Sequence, residues 1–278
     1  MSAPRNELRE LFTARYGLDL TSKLPGSPSA VLETLLSHRS IRRFSDRPAP
    51  EGTLELLVAA AQSAASSSNL QLWSVISVQD PDRRKRLASA ANNQMHVRES
   101  ALFLVWLADL NRATVLARSL GIEPEGLAYF EMFLMASIDA ALAAQNAVIA
   151  AEAHGLGGVY IGALRNRPKE VAELLELPPR VFALFGLCLG YPDPNVRTAI
   201  KPRLPQSIVL SHDTYKPVKR EVVSQYDELM SKFYSTQGME VPAGGWSLHC
   251  AQRVESAQSL NGRDRLKELL LGHGFALR

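Results

Sequence analysis

Residues 127–154 carry the longest helical pattern in the chain. Phe130, Leu134, Ile138, Leu142, Gln145 and Ile149 fall on one face, and Gly155 ends the pattern as a C-terminal cap. The companion residues are small: Ala136, Ala140, Ala141, Ala143, Ala144 and Ala147. A flank of alanines lets another backbone approach closely, so this helix belongs at the centre of a core or at a subunit interface. Either role implies a fold organised around one long helix.

The remaining elements do not alternate as strand, helix, strand. Residues 54–65 read as a helix, and Trp73, Val75, Ile76 and Val78 as a strand. Residues 101–108 (ALFLVWLA) and 181–189 (VFALFGLCL) are apolar throughout, as expected of buried strands, and residues 157–162 (GGVYIG) read as a short strand framed by glycines. A helix is expected over 168–177, and two charged amphipathic helices near 222–234 and 265–271. The class is α+β. At the front, Val31, Leu32, Leu35 and Leu36 recur at helical spacing, while the turn-rich PGSP at 25–28 separates a short amphipathic helix, about Asn6 to Tyr16, from a body beginning near Ser29.

Composition narrows the function classes. With 46% hydrophobic and 21% charged residues in 278, the chain is globular. Its net charge of +3 is interspersed rather than gathered in a stripe, so nucleic-acid binding is not demanded. Cys188 and Cys250 lack any metal-ligand spacing and read as free thiols of a reducing compartment; no metal site is expected. The run at 101–108 is too short to span a bilayer and the first residues lack an apolar leader segment, which predicts a cytoplasmic protein with no membrane partner.

Chemistry concentrates in a few stretches. In SHRSIRRF (37–44), His38, Arg39, Arg42 and Arg43 stand with the hydroxyls of Ser37 and Ser40 where a helix gives way to a loop. Such mixed donors suit a phosphate better than water alone, although a solvated charge run is the common alternative. The three arginines cannot all face one way, and two are expected inward. In KPRLP, flanking prolines hold Lys201 and Arg203 on a stiff backbone from which both heads can reach one oxyanion. Ser66, Ser67, Ser68 and Asn69 form a hydroxyl-rich turn, either a capping device or a ligand contact. The glycines around Tyr160 permit a bulge or the approach of a flat ligand. No GxGxxG, Walker A or GxSxG motif and no carboxylate couple is present, so a Rossmann site, a P-loop and a hydrolase are not supported. His96, His154, His212, His249 and His273 are scattered and read as surface or capping residues.

Taken in order, HRSIRRF, SSSN, GLGGVYIGALRN, LFGLCLGYP and KPRLP resemble the nitroreductase and flavin reductase family. The resemblance implies residues 29–278 as an FMN-binding α+β domain after a 1–28 extension, with a mixed, mostly antiparallel sheet, a long central helix and a C-terminal excursion over about 205–278. It implies a homodimer with FMN at the subunit interface and a ping-pong transfer of hydride from NADPH or NADH to flavin, then to a nitroaromatic, quinone or flavin acceptor. No side chain is needed as a catalytic acid, since flavin N5 carries the chemistry. On this resemblance His38, Arg39, Ser40, Lys201 and Arg203 surround the FMN phosphate, and Arg42 lies by the N1 edge. Ser66, Ser67, Ser68 and Asn69 meet the ribityl chain and ring, and Gln94 bonds the polar edge from the same or the neighbouring subunit. Tyr160, Ile161, Gly162 and Ala163 face the ring near N5, and Arg165 and Arg263 touch the dinucleotide. Gln237 and Pro242 stand where the resemblance leads one to expect arginines for the NADPH 2′-phosphate, which implies weakened but surviving NADPH preference. Alternatives within this reading are a flavin reductase supplying reduced FMN and a flavin-binding protein without turnover.

Overall fold

The computed structural model describes residues 3–21 and 29–278, so the turn expected at 25–28 lies outside the described residues. Along the chain run α1 (Ala3–Tyr16), α2 (Ala30–Ser37), α3 (Thr53–Gln62), β1 (Trp73–Ser77), α4 (Pro81–Ala90), α5 (His96–Glu99), β2 (Leu102–Asp109) and α6 (Asn111–Ser119). There follow α7 (Phe130–Ala153), β3 (Gly157–Ile161), α8 (Pro168–Leu174), β4 (Val181–Gly190), α9 (Gln206–Val209), α10 (Arg220–Thr236), α11 (Gly245–Arg253) and α12 (Leu266–Gly272). They form two compact units, residues 1–39 with 197–260, and residues 40–196 with 261–278.

The second unit is built on a sheet of order β1-β2-β4-β3 in which every strand pair is antiparallel. Parallel pairing is confined, among the described residues, to the bridge between Ser40 and Gly158. Because successive strand residues point to opposite faces, Leu104 and Trp106 of β2 pack with α3 and α7, while Phe103, Val105 and Leu107 pack with Leu87 of α4 and Val171 and Leu174 of α8. Covering on both faces is why β2 and β4 read as unbroken apolar runs.

Helix α7 meets the sheet through its small residues. Ala136, Ala140, Ala143, Ala144, Ala147 and Ala151 are buried, and the alanine flank fits beneath β2 and β4 and against Leu57 and Ala61 of α3. The large apolar stripe faces outward: Phe130 is 51% exposed, Leu134 42%, Ile138 50% and Leu142 45%. By length and composition α7 could also cross a membrane, a point at odds with the sequence expectation that no segment is long enough; its alanine flank is nonetheless packed against protein.

The first unit rests on two amphipathic helices. Leu8 and Phe12 of α1 are buried at 1% and 5% exposure, each stabilising by about 2 kcal/mol if fully removed from water. In α10, Tyr226 and Met230 are buried, and the Tyr226 hydroxyl donates to the Pro202 carbonyl at 3.0 Å. Asp227 joins α10 to α11 by accepting from the Ser247 amide at 2.7 Å and hydroxyl at 2.6 Å. Gly245 sits close enough that an added Cβ would lie 3.1 Å from that carboxylate.

Helices α4, α5, α6, α9 and α11 have no counterpart in the sequence expectations. In α4 the start signals are present, since the Asp80 carboxylate accepts from the Arg83 amide at 2.6 Å and Pro81 occupies the first turn, but only Leu87, Ala88 and Ala90 are buried. Three small contacts make too faint a periodicity to stand out.

Candidate functional site

In the first unit, α2 stops at Ser37 and His38 turns extended, with φ −50° and ψ 132°. Arg39 is exposed, its Nε donating to the Thr198 hydroxyl at 3.0 Å. On the other basic segment, the Lys201 ammonium lies 5.6 Å from the Tyr234 ring centroid and 5.9 Å from that of Phe233. The Arg203 guanidinium folds back on the Lys201 and Pro202 carbonyls at 3.3 and 3.4 Å. Pro202 itself is buried and held by Tyr226, so the stiffness expected of KPRLP is reinforced from outside the segment.

The two basic segments are joined by a residue the sequence reading passed over. Arg15, 5% exposed, donates from Nη1 to the Lys201 carbonyl and from Nη2 to the Leu36 and His38 carbonyls, each at 2.8 Å. Its own carbonyl accepts from the Arg203 amide at 2.8 Å. The signal for it was positional: Arg15 follows Leu8 and Phe12 at helical spacing, so a charge stands on the buried stripe of α1, where it must be paired. A cleft of about 620 Å³ in the same unit is lined by Thr13, Arg39, Thr198, Lys232 and Gln237.

In the second unit, Ser40 pairs with Gly158 and the Ile41 amide donates to the Gly158 carbonyl at 2.9 Å. This explains the paired glycines of β3. A Cβ on Gly157 would lie 2.3 Å from Ile41 Cγ1, and one on Gly158 would lie 2.8 Å from the Cys188 carbonyl oxygen. The first two glycines make room for the Ile41 side chain and the β4 backbone, not for a ligand. Ile41, 2% exposed, takes the inward position of the cluster, while Arg39, Arg42 and Arg43 are all exposed; the expectation of two inward arginines is corrected accordingly.

Arg42 and Gln94 share the surroundings of His96. The Gln94 Oε1 lies 3.0 Å from His96 Nε2, and burial first, then the positive charge of Arg42, hold the His96 pKa below its ordinary value. The serine turn is anchored from α7: Asp139, 2% exposed, accepts from the Ser66 hydroxyl at 2.7 Å and the Ser67 amide at 3.2 Å. The Gln71 amide in turn donates to the Ser66 oxygen at 2.8 Å. The Ser66 hydroxyl thus ties the turn to α7 and to Gln71 rather than capping a helix, whereas Ser67, Ser68 and Asn69 are exposed, and Ser68 and Asn69 adopt left-handed φ of 49° and 54°. The left-handed region is uncommon for non-glycine residues, though Asn enters it more readily than Ser.

Tyr160 is 39% exposed, edge-on to Phe185 at 5.3 Å, with burial raising its phenol pKa. Its neighbours alternate: the Ile161 and Ala163 side chains belong to the core beneath the sheet, leaving Gly162 half-buried between them. Those two residues can offer a ligand only main-chain groups. Arg165 packs on Gly162, where an added Cβ would lie 3.3 Å from its guanidinium, and donates to the Leu184 carbonyl. Burial and the nearby Arg263 charge lower its pKa, while Arg263 donates to the Asn166 side chain at 2.8 Å.

The Nitroreductase family model matches residues 35–191, and the model of the family's C-terminal domain matches residues 201–278. An oxygen-insensitive NADPH nitroreductase of Salmonella typhimurium is 42% identical over 251 residues, covering 90% of this chain and all of that protein. Among solved structures, nitroreductase A of Vibrio parahaemolyticus superposes with a TM-score of 0.80 at 36% identity, over 91% of this chain and all of the other. An NADPH:FMN oxidoreductase of Vibrio harveyi complexed with NAD+ gives 0.79 at 35% identity, over 90% of this chain and all of the other.

Proposed function

Since the chain belongs to the nitroreductase family, we propose that it is an FMN-dependent oxidoreductase that passes hydride from NADPH or NADH to flavin and then to a nitroaromatic or quinone. The observation that carries the reading is the joining of the two basic segments: four backbone positions, 36, 38, 201 and 203, are tied to one arginine, so His38, Arg39, Lys201 and Arg203 are presented as one set of phosphate donors. Bound FMN supplies a two-electron carrier whose N5 accepts and returns hydride. The chain's share is to hold and tune it. Ser67, Ser68 and Asn69 offer hydroxyl and amide groups from a preset turn, and Gly162 offers a main-chain N–H. Arg42 adds positive charge, which favours the reduced anion. With donor and acceptor using the same open face in turn, the kinetics are ping-pong.

We extend the reading to a homodimer closed through the outward stripe of α7, because four large apolar side chains in one line are costly to leave in water. Work in a reducing cytoplasm suits two unpaired thiols. Gln237 lines the cleft with Arg39 and Lys232, so part of the positive charge for a 2′-phosphate survives there and NADPH remains modestly preferred.

The test is a visible spectrum of the purified protein, followed by NADPH and NADH in parallel anaerobic cuvettes. Flavin bands that bleach, faster with NADPH, are expected. Bands that persist would reduce the protein to a flavin binder, and a colourless protein that takes up no added FMN would remove the proposal. Faster turnover with free FMN than with a nitroaromatic would favour the flavin reductase alternative.

A further inference from the structure

Helix α1 lies outside the stretches matched by the family models, yet its last turn reaches both basic segments. We propose that Arg15 is a positioning residue that sets the spacing between the His38–Arg39 and Lys201–Arg203 segments and so gives the site its affinity for the phosphate of FMN. The inference rests on the reading that those segments hold that phosphate.

Arg15 directs both terminal nitrogens to main chain. Nη1 takes the Lys201 carbonyl, and Nη2 takes the carbonyls of Leu36 and His38. Leu36 belongs to the last turn of α2, whose carbonyls have no partner within the helix and attract a cation. The backbone of Arg15 closes the fourth link by accepting the Arg203 amide. A planar fork fixes the angle as well as the distance between the two strands it bridges, which the compact ammonium of lysine cannot do. The fork is itself held still, because Leu8 and Phe12 bury the same face of α1 and Tyr16 stacks on Phe12 at 6.1 Å. It also neutralises carbonyl oxygens of the two segments, whose lone pairs would otherwise oppose an anion nearby.

The test uses full-length apoprotein and the variants Arg15→Met and Arg15→Lys, titrated with FMN and with riboflavin by quenching of flavin fluorescence, alongside the melting temperature. Riboflavin lacks the phosphate, so the FMN to riboflavin affinity ratio isolates the phosphate contribution. Arg15→Met is expected to weaken FMN about tenfold or more while riboflavin changes less than about twofold, with Arg15→Lys between. Parallel losses for both flavins, or none, would overturn the positioning role, whatever the melting temperature does. If Arg15→Met fails to fold, the ratio for Arg15→Lys decides by the same criterion. Wild-type protein that binds neither flavin sinks the FMN reading and this inference with it; wild type that binds FMN beside variants with an unchanged ratio sinks this inference alone.

Discussion

Asp139 shows how much of a turn can depend on one buried side chain. Both its carboxylate oxygens are used, one by the Ser66 hydroxyl and one by the Ser67 amide, beneath residues held in left-handed conformations. Asp139→Ala strands those donors, and a loss of about 1–3 kcal/mol is expected, seen as a melting temperature several degrees lower together with weaker FMN binding. An unchanged melt would show the turn to be held from elsewhere. Asp139 and Arg15 each stand as a charge on an otherwise apolar helix stripe, a signal that the sequence reading passed over. Their partners were not, because they lie 72 or more residues away for Asp139 and up to 186 away for Arg15. Spacing along a helix tells that a charge is buried, not what satisfies it.

Among the elements, α7 was the most legible in extent and the least in orientation. The pattern over 127–154 became Phe130–Ala153, preceded by a short 3-10 turn at Glu125–Ala128. Apolar content is nearly uniform around this helix, so hydrophobicity alone could not say which face meets the sheet; side-chain size could, because only alanines allow the close approach seen. The outward stripe carries a prediction. Ile138→Asp combined with Leu142→Asp, both half exposed, should leave the circular dichroism spectrum intact and convert a dimer to monomers in sedimentation experiments. A double variant that stays dimeric would move the interface elsewhere. Strands β2 and β4 were found almost to the residue, since burial on both faces leaves no polar position to blur them.

At the level of the whole molecule, each compact unit holds one thiol. Cys188 lies in the sheet of the second unit with its pKa pushed up to about 12 by burial, whereas Cys250 in the first unit is only partly covered. A disulfide-exchange reagent is expected to titrate Cys250 in the native protein and Cys188 only as denaturant opens the second unit; prompt reaction of two thiols would contradict the packing of β4. Of the ordered motifs that reported the family, HRSIRRF, SSSN and KPRLP sit at turns or loops, whereas GLGGVYIGALRN and LFGLCLGYP carry strands β3 and β4. The two-unit organisation was hidden, since the first unit is assembled from residues 1–39 and 197–260 with the sheet encoded between them. That arrangement sets a timetable for synthesis. Arg15 and its acceptors at Leu36 and His38 leave the ribosome long before Lys201, 186 positions after Arg15, and the link to the second segment must wait through the making of the entire sheet. Closing so long a loop is entropically slow, so the pairing of the two basic segments forms late, and on the function proposed above FMN is loaded onto a nearly finished chain rather than serving as a template for it.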